Sequence, residues 1–165
     1  STMLFTAKLD VRDGVGVIRS RIGIDHVSLV FAEADDLLEI VRKESGLRPV
    51  DCILIDEAQF LSKAQVEQLT KVVDMENVPV LTYGLRTDFL GETFEGSKYL
   101  MAWADEIKEI KAICHCGKKA TMNARVDSSG RMETEGKQIE IGGNERYVSL
   151  CRSCFSKADT GPSPG

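Results

Sequence analysis

A chain of 165 residues, 42% of them hydrophobic, is long enough for one ordinary domain or for a core with a small appendage. Its net charge of −5 argues against a general nucleic-acid-binding surface, which needs clustered positive charge. No apolar run approaches membrane-spanning length, and the N-terminus lacks the charged, apolar and small-residue sections of a signal peptide, so a cytoplasmic protein with neither membrane nor nucleic acid as partner is expected.

Met3-Leu4-Phe5-Thr6-Ala7 predicts a short strand that enters at once. A polar, glycine-bearing loop follows through Asp10, Arg12 and Gly14-Val15-Gly16. It is no phosphate fingerprint by itself, because a third glycine is missing and Gly-Lys-Ser/Thr occurs nowhere in the chain. Ser20-Arg21-Ile22-Gly23 closes the loop, and Val27-Ser28-Leu29-Val30 reads as another short strand. Over residues 35–45, Leu37, Leu38, Ile40 and Val41 give a helix its apolar face, with Gly46 expected as a left-handed cap.

Past Pro49 comes Val50-Asp51-Cys52-Ile53-Leu54-Ile55-Asp56-Glu57-Ala58-Gln59-Phe60. Consecutive rather than alternating apolar residues describe a strand buried on both faces. Ligands of open parallel sheets sit beyond the strands' carboxyl ends, which is where Asp56 and Glu57 would stand. Two adjacent carboxylates there can divide phosphoryl transfer, one holding Mg²⁺ and the other taking a proton from the nucleophile. Helix-start acids that complement a dipole give the same pattern. The spacing then predicts a helix over 62–74, with Ser62 and Gln65 as a capping box, and a strand over 78–83. Strand, helix, strand implies a right-handed crossover in a parallel sheet.

The loop Gly84-Leu85-Arg86-Thr87-Asp88-Phe89-Leu90-Gly91-Glu92-Thr93-Phe94 is richer in Leu and Phe than a solvated loop should be. Leu100 to Trp103 reads as helical, and Ile107, Ile110 and Ile113 lead to Cys114-His115-Cys116. Strand-like pieces at 121–126 and 138–141 flank Ser128-Ser129-Gly130 and predict a β-hairpin. Val148-Ser149-Leu150 returns to Cys151-Arg152-Ser153-Cys154, and the chain ends in a tail of disordered composition. Two close cysteine pairs far apart in sequence favour metal over disulfide. Four thiolates can hold a structural Zn²⁺, with reduced thiols as the alternative and His115 as a substitute ligand beside the tight Cys114-x-Cys116. The nearby basic residues, Lys118, Lys119, Arg125, Arg146 and Arg152, are diluted by glutamates.

Taken in order, Asp10-x-Arg12, Ser20-Arg21-Ile22-Gly23, Asp56-Glu57-Ala58-Gln59-Phe60, the block from Gly84 to Phe94, the cysteine pairs and Ile141-Gly142-Gly143-Asn144-Glu145-Arg146-Tyr147 closely resemble the thymidine kinases shared by bacteria and the vertebrate cytosol. The resemblance runs from about residue 2 to 155 and is worded more like the bacterial branch. It implies a RecA-like P-loop NTPase α/β core over 1–112 with its first βα unit missing, a zinc-ribbon and lasso domain over 113–155, and a tail over 156–165.

It further implies that Glu57 accepts the proton of the thymidine 5′-hydroxyl as that oxygen attacks the γ-phosphate of ATP. Asp56 would organise Mg²⁺, and Asp10 and Arg12 would lie near the phosphates. Phe60, Leu85, Phe89 and Phe94 would enclose the thymine, with Tyr147 on the lasso and main-chain groups of Ile139, Glu140, Ile141, Gly142 and Gly143 on the base edges. Zinc held by Cys114, Cys116, Cys151 and Cys154 would fix the roots of that lid. Thymidine triphosphate would act as feedback inhibitor and the protein would assemble as a homotetramer. The family's Gly-Lys-Ser/Thr loop precedes the point where this chain begins, so these 165 residues by themselves are expected to lack useful kinase activity. The rival expectations are a nucleoside-binding protein that cannot use ATP, and a zinc-ribbon nucleic-acid module on a degenerate core.

Overall fold

The computed structural model describes residues 1–8, 17–19, 25–138 and 146–162, with 17–19, 25–27 and 146 described by backbone alone. They fall into two units, Ser1–Arg86 with Phe94–Asp105 and Thr87–Thr93 with Glu106–Gly165.

In the first unit, strand Thr2–Ala7 (β1) is followed by Val17–Arg19 (β2) and Asp25–Val27 (β3), which pair antiparallel with each other. Leu29–Phe31 (β4) lies parallel to β1. Helix Leu37–Leu47 (α1) starts at Asp36, whose carboxylate accepts from the Glu39 N–H at 3.0 Å. The helix runs through Gly46, which sequence marked as its left-handed stop. It ends instead at Arg48, which is extended (φ −155°, ψ 150°) because Pro49 follows and bars the helical conformation before it.

Cys52–Ile55 (β5), helix Lys63–Glu76 (α2) and Val80–Thr82 (β6) complete a parallel sheet of order β4-β1-β5-β6. Helix Glu95–Trp103 (α3) follows. The Ser62 and Gln65 side chains form the expected capping box, a device worth about 1 kcal/mol. Met3, Phe5, Ile53 and Ile55 from the sheet bury with Leu37 and Val41 of α1 and with Val66, Leu69 and Val72 of α2. Gln65, itself buried, donates to the Ala32 and Asp35 carbonyls at 2.7 and 3.1 Å and satisfies the chain entering α1.

In the second unit, Ala112–Ile113 (β7) and Lys119–Ala120 (β8) form a two-stranded knuckle, with Gly117 at φ 83° where a side chain is disfavoured. Met122–Val126 (β9) pairs antiparallel with Arg146–Leu150 (β10), and the short helix Arg152–Ser156 (α4) closes the unit. Of the hairpin expected across Ser128-Ser129-Gly130, the second strand-like piece, 138–141, lies outside the described residues beyond position 138. The turn is present, but beyond it only the bridge between Val126 and Met132 forms among the described residues, and β9 takes its ladder from β10. Buried Ala120, Ala124 and Leu150 pack with Cys114, Cys151 and Cys154. So small a core is the kind that needs a covalent or metal staple. The tail is laid against this knuckle as far as Gly161: Asp159 N–H donates to the Cys154 carbonyl at 2.9 Å, and the Thr160 hydroxyl to the Gly130 carbonyl at 2.8 Å.

Candidate functional site

The chain leaves β5 at its carboxyl end and turns at once. Asp56 Oδ1 accepts from the Glu57 N–H at 2.9 Å, and Glu57 takes φ 52°, ψ 39°. That left-handed conformation costs a non-glycine residue about 1–2 kcal/mol, so the surroundings must impose it. They do so through the next strand: Tyr83 N–H donates to the Ile55 carbonyl at 2.8 Å and Ala58 N–H to the Tyr83 carbonyl at 2.9 Å. The turn after β5, a 3-10 turn at Ala58–Phe60, is thereby fastened to the loop after β6.

Side chains tighten the junction. Gln59, 3% exposed, donates through Nε2 to Glu57 Oε2 at 2.5 Å and accepts from the Leu85 N–H at 3.1 Å. Ser97, on α3, donates its hydroxyl to the Leu85 carbonyl at 2.5 Å. Gly96 brings α3 onto the 3-10 turn, where a Cβ would stand 2.6–2.8 Å from the carbonyls of Ala58, Leu61 and Gln59. Phe94, at the start of α3, meets Phe60 edge-on with ring centres 5.8 Å apart. Within the first unit, then, five of the residues expected at the site come together: half-buried Asp56 and Glu57, the Phe60–Phe94 pair and the exposed Leu85.

The others divide. In the second unit Phe89 is 1% exposed beneath the Arg125 guanidinium, whereas Tyr147 on β10 is 52% exposed. Asp10, Arg12, Ile139, Glu140, Ile141, Gly142 and Gly143 lie outside the described residues.

The sulfurs of Cys114, Cys116, Cys151 and Cys154 all lie within 4.8 Å of one another, and among the described residues no disulfide joins them. Sγ of Cys116 and Cys151 are 3.7 Å apart. Burial pushes the Cys114 thiol up, but the Cys116 and Cys151 N–H groups and the Cys116 and Cys154 thiols outweigh it and leave it at about 6. The Cys154 N–H, 3.4 Å from Cys151 Sγ, lowers that thiol as well. Burial and the other three sulfurs push Cys154 up, as expected where several thiolates crowd without a counter-charge. Soft donors that share negative charge this closely fit a divalent metal cation. His115 points elsewhere: its Nε2 lies 3.0 Å from the Asp159 carbonyl, and it joins a second cluster with Cys154 and Asp159.

A carboxylate pair at the carboxyl end of one parallel strand, beside an aromatic pair, suits proton abstraction from a group held against an apolar wall. Sequence reasoning left Gln59 and Ser97 without roles. Their bonds to Leu85 span 26 and 12 positions, and the only local signal was an amide two residues past a strand-ending acid.

The family model described as thymidine kinase matches residues 1–155. A thymidine kinase from Rhodopirellula baltica is 51% identical over 158 residues, covering 96% of this chain and 75% of the relative. Thymidine kinases of Vibrio cholerae and Yersinia pseudotuberculosis are 54% and 53% identical, over 94% and 95% of this chain and 81% and 80% of theirs.

Proposed function

The chain belongs to the thymidine kinase family, and on that premise we propose how its residues divide the transfer of the γ-phosphate of ATP to the 5′-hydroxyl of thymidine or deoxyuridine. The hydroxyl oxygen attacks the γ-phosphorus, the bond to the bridging oxygen breaks, and its electron pair leaves with ADP. The hydroxyl proton passes to Glu57. The observation that carries this reading is the Glu57 carboxylate, held by Gln59 on a left-handed turn at the carboxyl end of a central parallel strand. Phe60, Phe94 and Leu85 are assigned as apolar walls for the base, and Tyr147 keeps the nucleoside role the family resemblance gives it, whereas Phe89 is buried beneath Arg125. Main-chain groups of residues 139–143 are assigned to the base edges and Asp10 and Arg12 to the phosphates.

Mg²⁺, when bound beside Asp56, neutralises charge on the phosphates. The cysteine cluster is assigned a structural Zn²⁺. Two sulfurs about 2.3 Å from one tetrahedral ion stand about 3.8 Å apart, close to the 3.7 Å between Cys116 and Cys151. The core is read as P-loop-type with a zinc-ribbon appendage, acting in cytoplasmic nucleotide salvage as a homotetramer inhibited by thymidine triphosphate. Among the described residues no helix is long and apolar enough to cross a membrane.

Thymidine-dependent release of ADP, measured for the wild type and Glu57→Gln in protein that carries the family's Gly-Lys-Ser/Thr loop ahead of residue 1, tests the assignment. Losing the base should lower kcat by about 10²–10⁴-fold, while calorimetric thymidine binding persists. Equal turnover by both proteins would refute the role of Glu57. Thymidine binding without any turnover in the wild type would favour a binding-only protein.

A further inference from the structure

We propose that Gln59 is a positioning residue that joins the proton-accepting carboxylate to the nucleoside-side loop through one planar amide, so that displacement of Leu85 is transmitted to Glu57. The inference rests on reading Glu57 as the base. Its grounds are the chemistry of the amide and the closeness of what surrounds it.

A primary amide is among the few side-chain groups that present a donor and an acceptor in one plane. Gln59 uses both, with Nε2 on Glu57 Oε2 at 2.5 Å and Oε1 on the Leu85 N–H at 3.1 Å. The orientation is decided by charge. Flipping the amide would set oxygen against a carboxylate and N–H against N–H, so both contacts would turn repulsive. At 3% exposure little water competes for either bond.

The pocket around the amide is closed. A Cβ at Gly84 would stand 2.7 Å from Gln59 Oε1 and 2.9 Å from its backbone nitrogen. Leu85 is gripped at both ends of its residue, its N–H by Gln59 and its carbonyl by Ser97 at 2.5 Å. A nucleoside that presses on Leu85 thus meets an element that cannot shift without moving the amide and, through it, the base. Gln59 need not touch substrate to align the carboxylate.

Two variants separate this role from simple packing. Gln59→Glu keeps an acceptor for the Leu85 N–H but turns oxygen toward Glu57, whereas Gln59→Met keeps length and removes both partners. Amide hydrogen exchange at Leu85 should be unchanged in Gln59→Glu and about tenfold faster in Gln59→Met, as expected for one lost buried hydrogen bond. Thymidine-dependent kcat should fall by about 10²-fold in both, while the KM for thymidine stays near wild type in Gln59→Glu. 5′-Deoxythymidine, which can press on Leu85 but presents no hydroxyl to Glu57, should also shift the Glu57 side-chain carboxyl resonance in the wild type and not in Gln59→Met. Wild-type kcat in Gln59→Glu, or unaltered Leu85 exchange and an intact 5′-deoxythymidine-induced shift in Gln59→Met, would overturn the proposal. A wild-type protein that carries the Gly-Lys-Ser/Thr loop and still forms no ADP with thymidine would instead count against the kinase reading, and the exchange and resonance measurements would still decide for or against the bridge.

Discussion

The guanidinium carbon of Arg125 stands 3.7 Å from the centre of the Phe89 ring, so in the second unit a fully buried cation caps an aromatic face. Its Nε donates to Glu133 at 2.5 Å and its Nη1 to the Lys137 carbonyl at 3.2 Å. Gly136 (φ 134°) has no room for a side chain, because a Cβ there would collide with Nη2. One residue therefore gathers the ring, Glu133 after the turn and the stretch before residue 139.

Glu133→Gln is expected to destabilise the protein by about 3 kcal/mol, because it takes a counter-charge from the buried Arg125 guanidinium. Urea unfolding followed by circular dichroism measures it, and the charge left behind by Arg125→Met should cost less, because the Glu133 side chain is 29% exposed and can reach water. Equal, small losses in the two variants would show that the stacking and the ion pair contribute little.

Metal content is the second expectation. Native mass spectrometry of the purified protein should find one zinc ion per chain, lost in Cys151→Ser and in Cys154→Ser, whose sulfurs are buried. Removing the ion with a chelator should lower the melting temperature, since the free energy of binding a structural metal is part of the free energy of folding. A metal-free protein that melts as high as the zinc-loaded one would remove the structural role.

The third expectation concerns acid. The Asp127 carboxylate takes the Ser129 hydroxyl at 2.6 Å and the Ser129 and Arg131 N–H groups at 2.8 and 3.0 Å. These bonds, the hydroxyl first, hold it below its ordinary value of 3.8. A depressed folded-state value means stabilisation that is complete above the unfolded value and lost as pH falls through the folded one. Wild type should therefore be more stable than Asp127→Asn at neutral pH. The gap should begin to close only below about pH 4, on a plot of unfolding free energy against pH. A gap that stayed constant down to pH 2 would show that the charge on Asp127 is irrelevant.

What could be read in advance follows the range of the interactions. β5, α2 and its capping box were legible because a run of apolar residues and a Ser–Gln pair three apart carry their own local physics. The end of α1 was misplaced by a local signal overruled one step later: Gly46 permits a left-handed cap, but Pro49 makes Arg48 the stop. The turn after β9 is legible and carries an antiparallel bridge, but the ladder of β9 with β10, 20 or more positions away, leaves no mark on a short window. At the site, Asp56, Glu57 and the aromatic pair were visible as residue types at a strand end. Gln59 was visible only as a letter in a motif, and Arg125 only as one basic residue among several, because their meaning lies in partners supplied by other elements.

The left-handed backbone at Glu57 has a practical consequence for anyone redesigning this protein. Glycine adopts that conformation without the steric cost a glutamate bears, so a search that ranks substitutions by fold stability alone will nominate glycine at position 57. The nomination would give a sturdier turn without the carboxylate proposed to accept the proton. Position 57 is where selection for robustness and selection for turnover pull in opposite directions, and it should be frozen before any stabilising library is drawn.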